Sequence, residues 1–184
     1  MLTLYHDVTA PAAVVAAMRL QAVADAGGRV RFAGIDTLGL TVAVPPTLDL
    51  LEGLRRWAPE ARALGLTMRR PSRQPPTLAC HLVGELAEES GLGAAWRSRV
   101  LAGYWEEDLD IGDERVLTDL AVAAGLSGTA VTGVLADRQL RREASARMAA
   151  QRRRGVGGVP VLELDGVLVP ADIPEDDLRR LAML

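Results

Sequence analysis

Residues 155–165 read G-V-G-G-V-P-V-L-E-L-D and place a proline directly before a short apolar segment. Proline cannot donate to a sheet ladder, so this position must be the first of a strand or lie at an edge. The three glycines among residues 155–158 predict a sharp turn or a close backbone approach. Because a cis X-Pro bond costs only about 0.5–1 kcal/mol and often lies in a tight turn, we expect a cis bond between Val159 and Pro160. Beyond it, Asp165-Gly166 between two apolar segments predicts a β-hairpin followed by a last helix.

The beginning of the chain predicts a strand, a helix and a second strand. Residues 2–5 suit a strand, and Thr9 with Pro11 forms a regular helix start in which Thr9 is the expected N-cap. Gly27-Gly28 ends this helix. Residues 29–35 then alternate charged and apolar side chains, as a strand does. Together they predict a right-handed parallel β-α-β unit.

The middle of the chain has the apolar spacing of helices. Proline-rich links occur at residues 45–46 and 71–76. The expected N-caps of these helices are Thr77, Asp113 and Ser127. The glycines expected to end helices are Gly91 and Gly125. One long helix over residues 129–154 is expected to lead back to the glycine-rich loop.

These patterns predict an α/β domain of residues 1–44 and 127–184, interrupted by an all-helical insertion of residues 45–126.

Composition excludes several classes of function. All 21 cationic residues are arginine, so neither a Schiff-base lysine nor a phosphate-loop lysine exists. The net charge of −3 argues against nucleic acid as a partner. No targeting segment or long apolar run is present, so we expect a cytoplasmic protein without membrane contact. Cys80 is the only cysteine and the two histidines are far apart, so we expect neither a disulfide nor a metal site.

Five stretches together resemble the DsbA-like thioredoxin superfamily. They are D-V-T-A-P-A-A (7–13), A-R-A-L-G-L-T-M-R-R-P (61–71), P-P-T-L-A-C-H-L (75–82), W-E-E-D-L-D-I-G-D-E-R-V-L (105–117) and G-V-G-G-V-P (155–160). The resemblance is to the cytoplasmic branch with polyketide-cluster DsbA-type oxidoreductases and hydroxychromene-carboxylate isomerases, the kappa-class glutathione transferases. It implies a thioredoxin fold, a four-stranded mixed sheet with an all-helical insertion.

The helix start departs from the pattern of that family. Family members carry Cys-Pro-x-Cys or, in the isomerase branch, Ser-Pro at this point, whereas this chain has Ala10, Pro11, Ala12 and Ala13. Dithiol exchange needs a thiolate and a mixed disulfide, which a methyl group cannot provide. We therefore expect no oxidoreductase activity of the family type unless a second chain or a small thiol supplies the sulfur.

The start of the first helix and the proline loop do not depend on the missing sulfur atoms, and together they predict a site for a small ligand. The start of the first helix presents unpaired amides and a partial positive charge. The resemblance implies that the cis-proline loop forms the opposite wall and binds a peptide or a low-molecular-weight thiol of the glutathione or mycothiol type. The expected binding residues are Asp7, Ala10, Pro11, Ala13, Val159 and Pro160. Thr9 is the candidate catalytic residue, although we favour the simpler structural role of an N-cap.

Other candidates each have a structural interpretation that we favour. Asp7 could act as a base, but an acid at a helix start also stabilises the helix. Cys80 and His81 could pair as nucleophile and base, yet neighbours on a helix point in different directions. The arginines at 152–154 could bind an anion or simply meet the dipole at a helix end. The large aromatic residues expected in the core or in a cleft wall are Trp96, Tyr104 and Trp105.

Three functional hypotheses follow. The first is a non-redox enzyme or binding protein of isomerase or thiol-transferase type. The second is a non-catalytic module that associates through the former substrate groove, for example as a homodimer. The third is a residual oxidoreductase that uses Cys80 with an external thiol.

Overall fold

The four predicted strands form one mixed sheet in the computed structural model, which describes residues 1–183. The strands are β1 (Leu2–His6), β2 (Val30–Gly34), β3 (Val161–Leu164) and β4 (Val167–Pro170). Their order is β2-β1-β3-β4. β1 and β2 are parallel, and the other two pairs are antiparallel. The predicted thioredoxin sheet is therefore confirmed.

Eight helices surround the sheet within residues 1–183. They are α1 (Pro11–Asp25), α2 (Leu48–Ala63), α3 (Leu78–Glu89), α4 (Gly93–Trp105), α5 (Glu114–Ala123), α6 (Gly128–Ala136), α7 (Arg138–Gln151) and α8 (Glu175–Met183). A short π-helical segment, Arg152–Val156, follows α7 and contains Gly155 at φ 97°.

The single long helix predicted over residues 129–154 is wrong. Asp137 separates α6 from α7 because its backbone is extended, with φ −75° and ψ 101°. Its side chain accepts hydrogen bonds from the amides of Gln139 and Leu140, so it serves as the N-cap of α7. The chain therefore turns between two helices instead of continuing one.

Several local predictions are confirmed. Asp113 caps α5 and Ser127 caps α6 through their side-chain oxygens. Asp165 and Gly166 both have positive φ, 50° and 83°, which is the backbone of a tight hairpin turn between β3 and β4.

Helix α1 lies between two apolar cores. Leu20 packs with strand residues and with α8, whereas Val14 and Val15 pack into the core of the helical layer. That helical core contains Trp96, Tyr104 and Trp105, which confirms their prediction as core residues. It also includes residues of α6, and the division of the chain at residue 127 stays a prediction.

Across residues 1–183, every helix falls short of the length and apolar character that crossing a membrane requires.

Candidate functional site

A groove lies where the parallel strands β1 and β2 end. Both strands end at the same edge of the sheet, and open α/β sheets commonly bind ligands beyond the carboxyl ends of such strands. The groove has a volume of about 320 Å³. Its lining residues are Thr9, Ala10, Pro11, Ala12, Thr37, Leu38, Thr47, Asp49, Leu50, Gly53, Gln74, Gly157 and Val159, and we call it the strand-end groove.

Three of the predicted binding residues line this groove. Ala10 and Pro11 form one wall at the start of α1, and Val159 lies on another wall with Gly157. The peptide bond between Val159 and Pro160 is cis. Neither the amide nor the carbonyl of Val159 has a hydrogen-bond partner within residues 1–183. A ligand in the groove could therefore pair with both groups.

The other three predicted residues do not line the groove. Ala13 is fully buried on the inner side of α1, and Asp7 is 2% exposed beneath the groove. Pro160 lines a neighbouring cavity of about 110 Å³, together with Trp57 and Arg19. These residues shape the surroundings of the groove without facing its interior.

The start of α1 has unpaired backbone amides and no side-chain cap. Ala10 is its N-cap, with an extended backbone at φ −97° and no side-chain hydrogen bond to the helix. The amides of Ala12 and Ala13 lie in the first turn, where a helix provides no backbone acceptor. By contrast, α2 begins at the same groove but is capped by Thr47, whose hydroxyl accepts from the Leu50 amide at 3.3 Å. An anionic group is therefore favoured at α1 rather than at α2.

The buried carboxylate of Asp7 holds the floor of the groove together. Its Oδ1 accepts from the amide and the hydroxyl of Thr9, both at 3.1 Å. Its Oδ2 accepts from the amide and the hydroxyl of Thr37, at 3.0 and 2.9 Å, and from the hydroxyl of Thr77 at 3.3 Å. Three segments that are distant in sequence are thus fixed to one side chain.

The N-cap role predicted for Thr9 is wrong, because Ala10 occupies that position. The Thr9 hydroxyl donates to Asp7 and is only 3% exposed. Thr77 stands at the N-cap position of α3, but its hydroxyl also donates to Asp7 instead of capping the helix. Both threonines therefore serve the buried network.

His81 joins this network, a contact that the sequence did not reveal. Its Nε2 lies 3.9 Å from Oδ1 of Asp7 and has no hydrogen-bond partner within the described chain. Burial lowers the pKa of His81. The nearby acids Asp7, Asp36 and Glu85 act in the opposite direction and raise it, but by less. The imidazole ring is therefore held neutral in spite of a neighbouring carboxylate.

Cys80 is a core residue and lies outside the groove. It is 1% exposed and borders a cavity of only about 30 Å³ with His81. Burial, and to a lesser extent the charge of Asp7, raises the pKa of the Cys80 thiol. A nucleophilic cysteine must be accessible and must ionise to a thiolate. The Cys80 side chain is buried, and its raised pKa keeps the thiol protonated.

The arginines after α7 are largely engaged with the protein. Arg152 donates to the carbonyl of Asp36, and Arg154 forms an ion pair with Glu163 at 2.9 Å. Neither lines the strand-end groove. An anion-binding role for this cluster stays a prediction.

Several groove residues were missed by sequence reasoning, namely Thr37, Leu38, Thr47, Asp49, Gln74 and Gly157. One signal was available for Thr37. Asp7 and Asp36 each follow a predicted parallel strand, and the ends of such strands meet at one edge. Gln74 had no such signal, because it reaches the groove through an isolated backbone bridge with Val44.

Among the described residues, no group of three or more His, Cys, Asp or Glu side chains is arranged to hold a metal ion.

The strand order, the α1 start facing the Val159 loop and the helical layer define a thioredoxin fold with a helical insertion. The chain belongs to the DSBA-like thioredoxin domain family, whose model matches residues 1–182. A search of curated protein sequences finds no significant match.

Solved structures share this fold at low sequence identity. A probable DsbA oxidoreductase from Streptomyces coelicolor is 22% identical, with a TM-score of 0.80 over 97% of this chain and 86% of that chain. A 2-hydroxychromene-2-carboxylate isomerase is 20% identical, with a TM-score of 0.74 over 98% of this chain and 91% of that chain. The cytosolic disulfide reductase DsbM from Pseudomonas aeruginosa, solved with GSH, is 20% identical, with a TM-score of 0.65 over 97% of this chain and 95% of that chain.

Proposed function

We propose that the protein is a non-redox enzyme or binding protein of isomerase or thiol-transferase type, acting on a small molecule in the strand-end groove. The observation that carries this proposal is the combination of an open groove with methyl groups at Ala10 and Ala13, where the family has sulfur or a hydroxyl. A site that cannot exchange disulfides can still bind and orient a ligand.

The groove favours a ligand that combines an anionic group with a peptide-like group. The uncapped start of α1 attracts a carboxylate or a thiolate. The free amide and carbonyl of Val159 suit an amide-containing ligand such as a thiol of the glutathione or mycothiol type. Leu38 lines the groove and is half exposed, so part of the ligand can be apolar.

Two structural neighbours support the same class of ligand. One is named as a 2-hydroxychromene-2-carboxylate isomerase, and another was solved with GSH. The second is described as cytosolic, and the proposal includes a cytoplasmic location for this protein as well.

The chemistry available in the groove favours binding and polarisation over proton transfer. Asp49 is the one titratable side chain among the groove-lining residues. Thr9 has its proton engaged with Asp7, so the Thr9 oxygen could accept a hydrogen bond from a ligand but not donate one at the same time. The third hypothesis, a redox role for Cys80, is opposed by the burial of its thiol.

The test is ligand binding by calorimetry and thermal shift, with glutathione, S-methylglutathione, a mycothiol-type thiol and a set of aromatic carboxylic acids. Gly157 lines the groove, so Gly157→Leu should fill it. A side chain is tolerated there, because φ is −71° and the nearest non-neighbouring atom lies 3.9 Å from the added carbon. Gly158→Leu is the matched control, since that carbon meets nothing within 4 Å and Gly158 does not line the groove.

We expect at least one compound to bind, with affinity lost in Gly157→Leu and kept in Gly158→Leu. Equal loss in both variants, or no binding by any compound, would contradict the proposal. In the latter case a stable homodimer in light scattering, disrupted by Gly157→Leu, would favour the association module instead.

A further inference from the structure

A second groove runs along the free edge of the sheet. β2 is an outer strand, and a cavity of about 510 Å³ borders every residue from Val30 to Ile35. Successive side chains of a strand point to opposite faces of the sheet. A cavity that touches six consecutive residues must therefore follow the backbone edge, and we call it the edge groove.

The hydrogen bonds at the two ends of β2 show which backbone groups face this groove. The Leu2 amide donates to the Arg29 carbonyl, and the Ile35 amide donates to the His6 carbonyl. In a parallel ladder, alternate residues pair with the neighbouring strand. The intervening residues, whose amides and carbonyls point away from β1, are Val30, Phe32 and Gly34.

These outward groups need partners. They make no hydrogen bond to other residues between 1 and 183. The ring of His81 packs against Gly34 and leaves no space for a side chain there, so that end of the edge is covered. Val30 and Phe32 face the cavity, and buried backbone polar groups are almost always paired with protein, water or a ligand.

The two walls of the edge groove carry opposite charges. Helix α3 contributes Glu85, Glu88 and Glu89 on one side. Arg147 of α7 lies on the other side. Arg31 lies there too, because it points to the same face of the sheet as Ala33, which packs against α7. Glu85 and Arg147 form an ion pair that connects the walls. Glu88 is paired with Arg97. Within the described chain, Glu89 and Arg31 have no ion-pair partner.

We propose that the edge groove binds an extended segment of a partner protein by β-strand addition, in which basic and acidic side chains alternate. An added strand would pair with the outward groups of Val30 and Phe32. Its side chains would point alternately to the two walls, so basic residues would meet Glu89 while acidic residues would meet Arg31. This site is separate from the strand-end groove, and its test is independent of the proposed function.

A second folded copy of the chain does not suit this edge. His81 of α3 packs against Gly34, and Met148 of α7 packs with Ala33, so the two helices flank β2 on opposite faces of the sheet. Two such walled edges brought together would meet at their helices before their strands could pair. A single extended chain is narrower than a sheet with its helices, so it could pair with β2 without such a collision.

The binding test uses a fluorescently labelled decapeptide of alternating lysine and glutamate, followed by anisotropy. The first control is a block peptide of the same composition, in which all the lysines precede all the glutamates. The second control is the alternating peptide with N-methyl groups on every second amide. We expect the alternating peptide to bind and each control to bind about tenfold more weakly or not at all. Hydrogen exchange of the Val30 and Phe32 amides should slow when the alternating peptide is present.

Two variants locate the binding. Val30→Pro removes an outward amide that the β1 ladder does not use, and an edge strand tolerates proline at such a position. Val30→Ala keeps the amide and is the matched control. We expect affinity to fall about tenfold in the first and by less than about twofold in the second. Glu89→Arg, on the exposed wall, should weaken the alternating peptide about fivefold even if Val30→Pro fails to fold.

Three results would overturn the proposal. Equal binding of the alternating and block peptides would show simple charge attraction. Unchanged affinity in both Val30→Pro and Glu89→Arg would place the peptide elsewhere. A homodimer that dissociates in Val30→Pro, with no peptide binding by the wild-type protein, would assign the edge to self-association.

Discussion

Replacing Asp7 by asparagine tests the central structural inference, that one buried carboxylate fixes the floor of the strand-end groove. Each of its two oxygens accepts one backbone amide, from Thr9 at 3.1 Å and from Thr37 at 3.0 Å. An asparagine has one oxygen and one NH2 group, so either orientation of its side chain places NH2 against a backbone N–H. The threonine hydroxyls can rotate to accept, but the amides cannot.

The expected cost follows from this geometry. One charge-assisted hydrogen bond is lost, and one buried amide is left without an acceptor. Together these amount to about 2–4 kcal/mol of unfolding free energy. For a chain of this size, that corresponds to a fall in the melting temperature of roughly 4–16 °C. Thr9 and Thr37 line the groove, so ligand affinity should fall as well.

The matched control is Asp36→Asn. Asp36 is also buried, at 7% exposure, but its side chain accepts only one hydrogen bond, from the Gly39 amide at 2.9 Å. Burial raises the pKa of Asp36, so its neutral form is already less costly. An asparagine can direct its oxygen to Gly39, and we expect a loss below about 1 kcal/mol. Chemical denaturation of both variants is the assay. An equal loss in the two, or a loss below about 1 kcal/mol for Asp7→Asn, would refute the reasoning.

Three further predictions concern the same region. In Ala10→Cys/Ala13→Cys, the thiol at the start of α1 should have a pKa below about 7.5 and restore insulin reduction, whereas the wild-type protein should be inactive in that assay. His81 is neutral when folded because burial lowers its pKa, so the unfolded chain binds more protons below about pH 6.5. Stability should therefore fall as the pH drops below about 6.5, and more steeply in the wild-type protein than in His81→Gln. Gly34→Ala should cost about 1–3 kcal/mol because the added methyl group overlaps the ring of His81. Gly133→Ala, where the methyl group meets nothing within 4 Å, should be neutral or stabilising in the same denaturation assay.

Local patterns in the sequence were sufficient to predict most of the fold. Alternation and glycine positions identified β1, β2 and the Asp165-Gly166 turn, because each of these signals is set by nearby residues. The break at Asp137 was missed although aspartate is a strong N-cap residue. Helix-forming residues flank it on both sides, so the periodicity alone suggested one continuous helix.

The site was predictable only as far as its local motifs extend. Ala10, Pro11 and Val159 were found because they belong to recognisable segments beside a helix start and a proline. Asp49 and Gln74 reach the groove through an irregular link and a single backbone bridge, whose path no short-range pattern determines. The buried contact between Asp7 and His81 joins residues 74 positions apart, and burial of that kind is a property of the packed structure.

The loss of sulfur and the survival of the groove are compatible because different residues are responsible for them. The five hydrogen bonds to Asp7 come from Thr9, Thr37 and Thr77, and none comes from Ala10 or Ala13. The network that holds the floor of the groove therefore does not depend on the positions where the family carries its reactive atoms. Redox chemistry and ligand binding are separable in this architecture, so a chain can lose the first without any structural reason to lose the second.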